Sequence, residues 1–308
     1  MEFIKGISFT SFGDVRGTYC DNDAKDSLSN AKETLGLTHV TLCFLAYQET
    51  AQSEYIDYNG PTVPEDKELL EMIAYAQSLD LKVILKPMLD CLDGTWRAHI
   101  NFFDIDVPCE PKWPVWFKNY GEYIVKYAKL AEESGCEMLV IGTEMVQTER
   151  RTSDWIYLIN QVRKVYKGLI TYNTDKYQES NVNWWKHLDV ISASGYYPID
   201  EIETQINRIE LFMNDYDMPY FFAECGCPSR TGSKHNPNDW SFKGQYNEEE
   251  QNEWHQAFFE ATIDREWVNG YTPWSWSHTT TKNSEKDDGY DVYNKLAADT
   301  IKGYYSKR

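Results

Sequence analysis

Eight short apolar runs recur along the chain, and longer segments whose apolar residues have helical spacing separate them. The runs occupy residues 3–9, 38–46, 82–88, 137–144, 169–173, 190–196, 220–224 and 270–276. Their near-continuous apolar character is typical of parallel strands that are buried on both faces. The pattern therefore predicts a repeated βα unit.

The number of these units indicates the architecture. Eight βα units in 308 residues match a (β/α)8 barrel better than an open, doubly wound sheet. No linker rich in glycine, proline or serine and no charge block divides the sequence. We therefore predict an α/β protein with a single (β/α)8 TIM-barrel domain over residues 1–308.

The charge balance argues against two classes of partner. The chain has 30 basic and 49 acidic residues, a formal net charge of −19, which repels nucleic acid and anionic lipid. No stretch approaches the roughly 18 uncharged apolar residues of a membrane span. The 11 Trp, 22 Tyr and 13 Phe exceed what core packing alone requires and favour a surface that binds a flat, hydroxylated ligand.

The cysteines bear on the compartment. The chain has 7 of them, an odd number scattered along its length, which is a poor disulfide framework and favours a reducing environment. Residues 1–6 contain no charged region followed by an apolar one, so we expect no signal peptide and a cytoplasmic protein. The sequence does not indicate an oligomeric state.

Two glutamates end apolar runs at the place where this fold carries its chemistry. Glu144 ends the fourth run and Glu224 ends the seventh, and the carboxyl ends of all barrel strands face one mouth. Either residue alone is more simply interpreted as a salt-bridged rim residue. Together they suit retaining glycoside hydrolysis, which needs two carboxyl groups about 5–5.5 Å apart. Because strands four and seven face one cavity, we favour the catalytic interpretation.

Aromatic residues near these glutamates indicate a saccharide cleft. We expect the indole of Trp276 to form the floor under a sugar ring, and Trp274 to point the same way because strand side chains alternate. Trp240 follows the seventh run and Trp96 follows a turn after the third. For any one of these residues, a place in the core or at the rim is an equally good explanation.

The sixth run ends in two tyrosines. We expect Tyr196 to donate its hydroxyl to Glu224 and hold it ionised, although an ordinary half-buried tyrosine is equally consistent with the spacing. Tyr197 is a further candidate for substrate binding.

Several segments resemble a known family. The endings 141–145, 222–226 and 274–276 look like those of the clan A glycoside hydrolases. Within that clan the chain is similar to glycoside hydrolase family 113, the β-1,4-mannanases, and segments 5–9, 85–90 and 93–97 carry the same likeness. The resemblance extends from the first strand to the eighth.

The resemblance implies a fold, a reaction and residue roles. The reaction would be a retaining double displacement on β-1,4-linked mannose chains, in mannan or manno-oligosaccharides, without metal or cofactor. Glu224 would be the nucleophile and Glu144 the acid/base, with Tyr196 orienting the nucleophile and Trp276 as platform at the cleaved sugar.

The sequence departs from the clan pattern in two places. Thr143 stands where most of clan A has the asparagine that contacts the sugar 2-hydroxyl, and we expect Asn173 to replace it. The usual arginine of strand two is also missing. Lys86 or Arg97 is expected to supply the positive charge, and both are equally consistent with a structural role.

Other functions fit the residues less well. The six histidines show no pair suited to a metal hydrolase, and no glycine-rich phosphate loop or dinucleotide fingerprint is present. A carbohydrate-binding barrel without turnover is the non-enzymatic alternative. A retaining β-glycosidase on another β-glycan, such as xylan or cellulose, is the alternative within the enzymes.

Overall fold

The computed structural model describes residues 1–12, 16–279 and 287–308, which contain ten β-strands and seven α-helices. The strands are β1 Ile4–Lys5, β2 Ser8–Ser11, β3 His39–Gln48, β4 Lys82–Cys91, β5 Met138–Thr143, β6 Leu169–Thr174, β7 Val190–Ser194, β8 Tyr220–Glu224, β9 Val268–Tyr271 and β10 Trp274–Ser277. The helices are α1 Asn22–Leu35, α2 Asp66–Ser78, α3 Trp113–Glu133, α4 Thr152–Val165, α5 Ile202–Met213, α6 Glu248–Thr262 and α7 Leu296–Tyr305.

The strands close into a ring. All neighbouring strands are parallel, and from β2 to β9 the spatial order follows the chain. The first and last barrel strands are each split in two, so that β1 pairs with β9 and β2 pairs with β10. Eight strand positions therefore form a closed barrel, which confirms the predicted (β/α)8 fold.

Local signals in the sequence set the ends of the first helix. The side chain of Asp21 accepts a hydrogen bond from the backbone N–H of Ala24, which caps the start of α1. Gly36 ends the helix in the left-handed conformation, with a φ of 70° that glycine adopts at low cost.

The β6–β7 connection lacks an α-helix along its fully described length. It contains two 3-10 turns, Glu179–Asn181 and Trp185–His187, instead. Trp184 and Trp185 are fully buried there, and the Trp184 indole stacks on Trp155 of α4 with centroids 4.9 Å apart. Two large rings thus fill the volume that a helix would occupy.

The barrel interior is apolar at its base and polar at its mouth. One buried cluster inside the ring contains Ile84, Met138, Val190 and Phe221. On two of these strands the residues further along are polar: Lys86 lies two positions after Ile84, and Ser194 lies four positions after Val190. The dry base makes the site above it a closed-ended cavity. Within the described residues, the helices are too short or too polar to cross a membrane.

Candidate active site

A cavity of about 600 Å³ lies at the carboxyl ends of the strands, and both Glu144 and Glu224 line it. Both residues are almost fully buried, with 7% and 3% of their surface exposed. A second groove of similar size lies between α3 and α4 on the outside of the barrel. Burying two carboxylates at one mouth costs free energy unless other groups compensate their charges. We therefore take the cavity at the mouth as the candidate site.

Glu144 lies one residue beyond β5, in a backbone conformation that is uncommon for a residue with a side chain. Its φ is 51°, in the left-handed region, and its N–H donates to the carbonyl of Asn173 across 2.8 Å. Ser194 Oγ donates to Glu144 Oε1 across 2.6 Å. Trp96 Nε1 and Arg97 Nη1 each lie 3.3 Å from Oε2. Both carboxylate oxygens of Glu144 therefore have donors.

Glu224 is held by a cation and a phenol. Lys86 Nζ donates to Oε1 across 2.5 Å, and Tyr196 Oη donates to Oε2 across 2.8 Å. Burial raises the pKa of Glu224, and the charge of Glu144 adds to that effect, whereas the Lys86 ammonium opposes both. The ionised form of Glu224 thus depends on Lys86.

A third acid shares the cavity. Asp175 follows β6 and lines the cavity, and its side chain is only 9% exposed. Burial, and then the charge of Glu144, raises the pKa of Asp175 to about 7, while Lys176 opposes the shift. The charge of Glu144 therefore contributes to the raised pKa of both Asp175 and Glu224.

An aromatic wall faces the glutamates. Trp274 lines the cavity and stacks on Phe12, with centroids 5.4 Å apart and planes 26° apart. The ring of Trp240 meets Trp274 edge-on, and Trp96, next to Glu144, also lines the cavity. Trp240 and Trp96 are 59% and 40% exposed, so their faces are open to a ligand.

Trp276 does not form the floor of the cavity, contrary to our expectation. It is fully buried, its indole N–H donates to Ser27 Oγ of α1 across 3.1 Å, and its ring packs on Tyr293. The pairing of β10 with β2 shifts register between Trp274 and Trp276. A bulge breaks the two-residue alternation, so the two indoles point to opposite faces.

Three other predicted binding residues lie away from the cavity surface. Tyr197 is fully buried and donates its hydroxyl to Glu179. Asn173 and Lys86 are also fully buried, beneath the carboxylates. The two N–H groups of the Asn173 amide donate to Thr174 O and Ser194 Oγ. The predicted contact of Asn173 with a sugar hydroxyl stays a prediction, and the positive charge of Lys86 lies on Glu224.

The sequence did not single out two buried polar residues that contact the site. Ser194 donates to Glu144, and the alternation Ser192, Ser194, Tyr196 along one strand was the available signal. Glu149 Oε1 accepts from Tyr172 Oη across 2.9 Å, and that phenol accepts from the N–H of Met145, next to Glu144. Nothing local marks Glu149, since it lies in a connection.

Burial also changes the protonation of Glu149. Its Oε2 is buried and has no hydrogen-bond partner among the described residues. Burial raises the pKa of Glu149 to about 8, against hydrogen bonds from Thr174 and Tyr172. Burial therefore favours the neutral form of this carboxyl at neutral pH. In the described parts of the chain, no three His, Cys, Asp or Glu side chains converge as metal ligands.

Comparison with known proteins identifies the family. The model of Glycoside Hydrolase Family 113 matches residues 7–295. Two structures of a GH113 β-1,4-mannanase, one of them a complex, are each 49% identical to this chain, with a TM-score of 0.97 and 100% of both chains covered. The GH113 β-mannanase AaManA from Alicyclobacillus acidocaldarius, in complex with ManMIm, is 35% identical, with a TM-score of 0.93, 100% of this chain and 98% of that chain covered.

A search of curated proteins gave no match. The barrel and the family match define the protein as a (β/α)8 glycoside hydrolase. The chain belongs to glycoside hydrolase family 113.

Proposed function

We propose that the protein cleaves β-1,4-mannosidic bonds in mannan or manno-oligosaccharides by a retaining double displacement. The observation that carries this proposal is that Glu144 and Glu224 line one cavity from strands three apart on the ring. The 49% identity to a chain described as a β-1,4-mannanase supports mannan over other β-glycans.

The first step uses Glu224 as nucleophile and Glu144 as acid. A Glu224 carboxylate oxygen bonds to the anomeric carbon while the glycosidic C–O bond breaks, and Glu144 gives its proton to the departing sugar oxygen. The product is a glycosyl ester of Glu224. Tyr196 and Lys86 keep Glu224 ionised and fix its direction before attack.

The second step reverses these roles. Glu144, now ionised, removes a proton from a water molecule, and the water oxygen bonds to the anomeric carbon as the ester bond breaks. Glu224 leaves as a carboxylate and Glu144 is protonated again. Two inversions at one carbon retain the β configuration.

The aromatic wall supplies binding surface for the sugar chain. Trp274 lines the same cavity as the two carboxylates, and its ring contacts Trp240. Indole faces pack against the apolar C–H faces of pyranose rings, and their N–H edges donate to hydroxyls. We assign substrate binding to Trp274, Trp240, Trp96 and Arg97.

Substitution of the nucleophile tests the assignment. The variant Glu224→Gln is expected to lose hydrolysis of manno-oligosaccharides and to keep their affinity in calorimetry, because the amide has the same shape. Proton NMR of the wild-type reaction should show the β anomer first. Near wild-type turnover by Glu224→Gln, or an initial α product, would show the proposal to be wrong.

Chemical rescue tests the acid/base. Azide is expected to restore the activity of Glu144→Ala on substrates with an activated leaving group, because the small anion reaches the glycosyl ester without a base. A panel of manno-, xylo- and cello-oligosaccharides, assayed with the wild type, distinguishes mannan from the other β-glycans. Equal rates on xylan fragments would contradict the substrate assignment.

We also propose that the protein works in the cytoplasm and needs no metal or cofactor. Its 7 cysteines all lie in described residues and are unpaired, and five of them are buried. Titration of the denatured protein is expected to find seven reactive thiols, and full activity is expected after dialysis against EDTA. Missing thiols would indicate disulfides and an oxidising compartment.

A further inference from the structure

A buried chain of hydrogen bonds joins the two carboxylates beneath the cavity. Lys86 Nζ donates to Glu224 Oε1 across 2.5 Å and to Asn173 Oδ1 across 2.7 Å. Asn173 Nδ2 donates to Ser194 Oγ across 3.1 Å, and Ser194 Oγ donates to Glu144 Oε1 across 2.6 Å. All five residues are less than one-tenth exposed, and Lys86, Asn173 and Ser194 are fully buried, so solvent competes little for the bonds between them.

The donor and acceptor chemistry fixes the direction of every link. An ammonium group only donates, so the amide oxygen of Asn173 must face Lys86. The amide nitrogen then donates its two hydrogens to the Thr174 carbonyl and to Ser194 Oγ. The Ser194 oxygen is thereby an acceptor from Asn173. Its own hydrogen points to its other partner among the described residues, which is Glu144 Oε1.

We propose that Ser194 is a positioning residue that keeps the proton of Glu144 on Oε2. A proton on Oε1 would oppose the Ser194 hydrogen, and a rotated Ser194 hydroxyl would be a buried donor without an acceptor. Oε2 meets the N–H groups of Trp96 and Arg97 only at 3.3 Å, against 2.6 Å for the Ser194 bond to Oε1, so a proton on Oε2 displaces the weaker contacts. Trp96 and Arg97 both line the cavity. The proton is therefore carried on the side from which it is donated to the leaving sugar.

The same bond serves both states of the acid/base. When Glu144 is ionised, Ser194 still donates to Oε1, and Oε2, which has only the longer 3.3 Å contacts with Trp96 and Arg97, receives the proton from water. Lys86 anchors the chain at its other end, so the orientation of Ser194 depends on a cation that also holds Glu224. One buried lysine thus orders both carboxylates.

The strand offers a matched control. Ser192 lies two residues earlier on β7 and is equally buried. Its hydroxyl donates to Tyr172 O across 3.0 Å and accepts from Thr171 Oγ1, without contacting either glutamate. Loss of its hydroxyl removes a buried hydrogen bond of the same kind from the same strand.

Two substrates separate positioning from general damage. This inference rests on the proposed role of Glu144. Cleavage of an unactivated manno-oligosaccharide needs the proton of Glu144, whereas cleavage of a 2,4-dinitrophenyl β-mannoside does not. Ser194→Ala is expected to lower kcat/KM on the oligosaccharide by at least about tenfold and on the aryl mannoside by less than about threefold. Ser192→Ala is expected to change both substrates by the same factor.

Equal losses of kcat/KM on the two substrates in Ser194→Ala would overturn the inference. The same ratio of the two losses in Ser194→Ala as in Ser192→Ala would also overturn it. If Ser194→Ala does not fold, Ser194→Cys replaces it as the test, because the thiol has a similar volume and is a weak donor. Ser194→Cys is expected to lose more kcat/KM on the oligosaccharide than on the aryl mannoside. A wild-type ratio of the two kcat/KM values in Ser194→Cys would refute the role. A wild type that cleaves neither mannoside is a failure of the proposed function instead.

Discussion

The Tyr196 hydroxyl donates to Glu224 Oε2 across 2.8 Å, on the side of the carboxylate opposite to Lys86. Burial, followed by the charges of Glu224 and Glu144, raises the pKa of Tyr196 well above its usual value. The phenol therefore remains a donor throughout the neutral range. The neutral phenol of Tyr196 thus binds one oxygen of the buried Glu224 carboxylate, and the Lys86 ammonium binds the other.

Removal of the phenol hydroxyl tests this bond. Tyr196→Phe takes away a donor to the ionised form, so the pKa of Glu224 is expected to rise and the acid limb of the kcat/KM profile to move to higher pH. We expect kcat to fall by roughly 10²-fold, as for other single donors at a reacting group. Tyr197→Phe, which loses a buried bond to Glu179, is the control. An unmoved acid limb in Tyr196→Phe would contradict the orienting role.

Removal of the buried cation should have a larger effect. The Lys86 ammonium lowers the pKa of Glu224, so Lys86→Met is expected to move the acid limb to higher pH and to lower activity at neutral pH at least about tenfold. Lys295 is a second buried lysine, paired with Asp287. Lys295→Met should lower the free energy of unfolding without moving the acid limb of the pH profile. An equal shift of the acid limb in Lys295→Met would show that the effect of Lys86 on Glu224 is not local.

The protonated state of Glu149 predicts a dependence of stability on pH. Below pH about 4.5 the carboxyl is protonated in both states. Between that value and the folded pKa of about 8, only the unfolded chain ionises, so Glu149 destabilises the fold increasingly as pH rises, and the loss levels off above about 8. Glu149→Gln removes this effect.

Chemical denaturation of both proteins at pH 5 and pH 8 measures the difference. The free energy of unfolding of Glu149→Gln relative to wild type should increase with pH by on the order of a few kcal/mol. A difference that is constant with pH would mean that Glu149 is ionised in the fold.

Two tryptophans of β10 should separate binding from folding. Trp274→Ala is expected to raise KM for manno-oligosaccharides roughly tenfold, because it removes a lining ring, with a smaller change in stability. Trp276→Ala is expected to cost about 3–5 kcal/mol of unfolding free energy, because it empties a fully buried site. Steady-state kinetics and thermal unfolding check the pair, and the reverse pattern would restore Trp276 as the platform.

The predictable part of the site lies at the strand ends. Glu144 and Glu224 stand at the carboxyl ends of β5 and β8, and in a parallel barrel the carboxyl ends of all strands share one face, so their convergence follows from the sequence pattern. The extent of the single domain stays a prediction. Trp276 was misplaced because strand alternation assumes regular pairing, and the shift between Trp274 and Trp276 depends on β2, which lies more than 260 residues away in the chain.

The sequence by itself determined the barrel and the pair of glutamates, because apolar periodicity and chain order act within one βα unit at a time. Only the tertiary structure decided which polar groups meet inside the ring. Lys86, Asn173 and Ser194 come from β4, β6 and β7, and their contacts depend on the stagger of strands around the closed barrel. Stagger is a property of the whole ring, so no single segment of the chain encodes it.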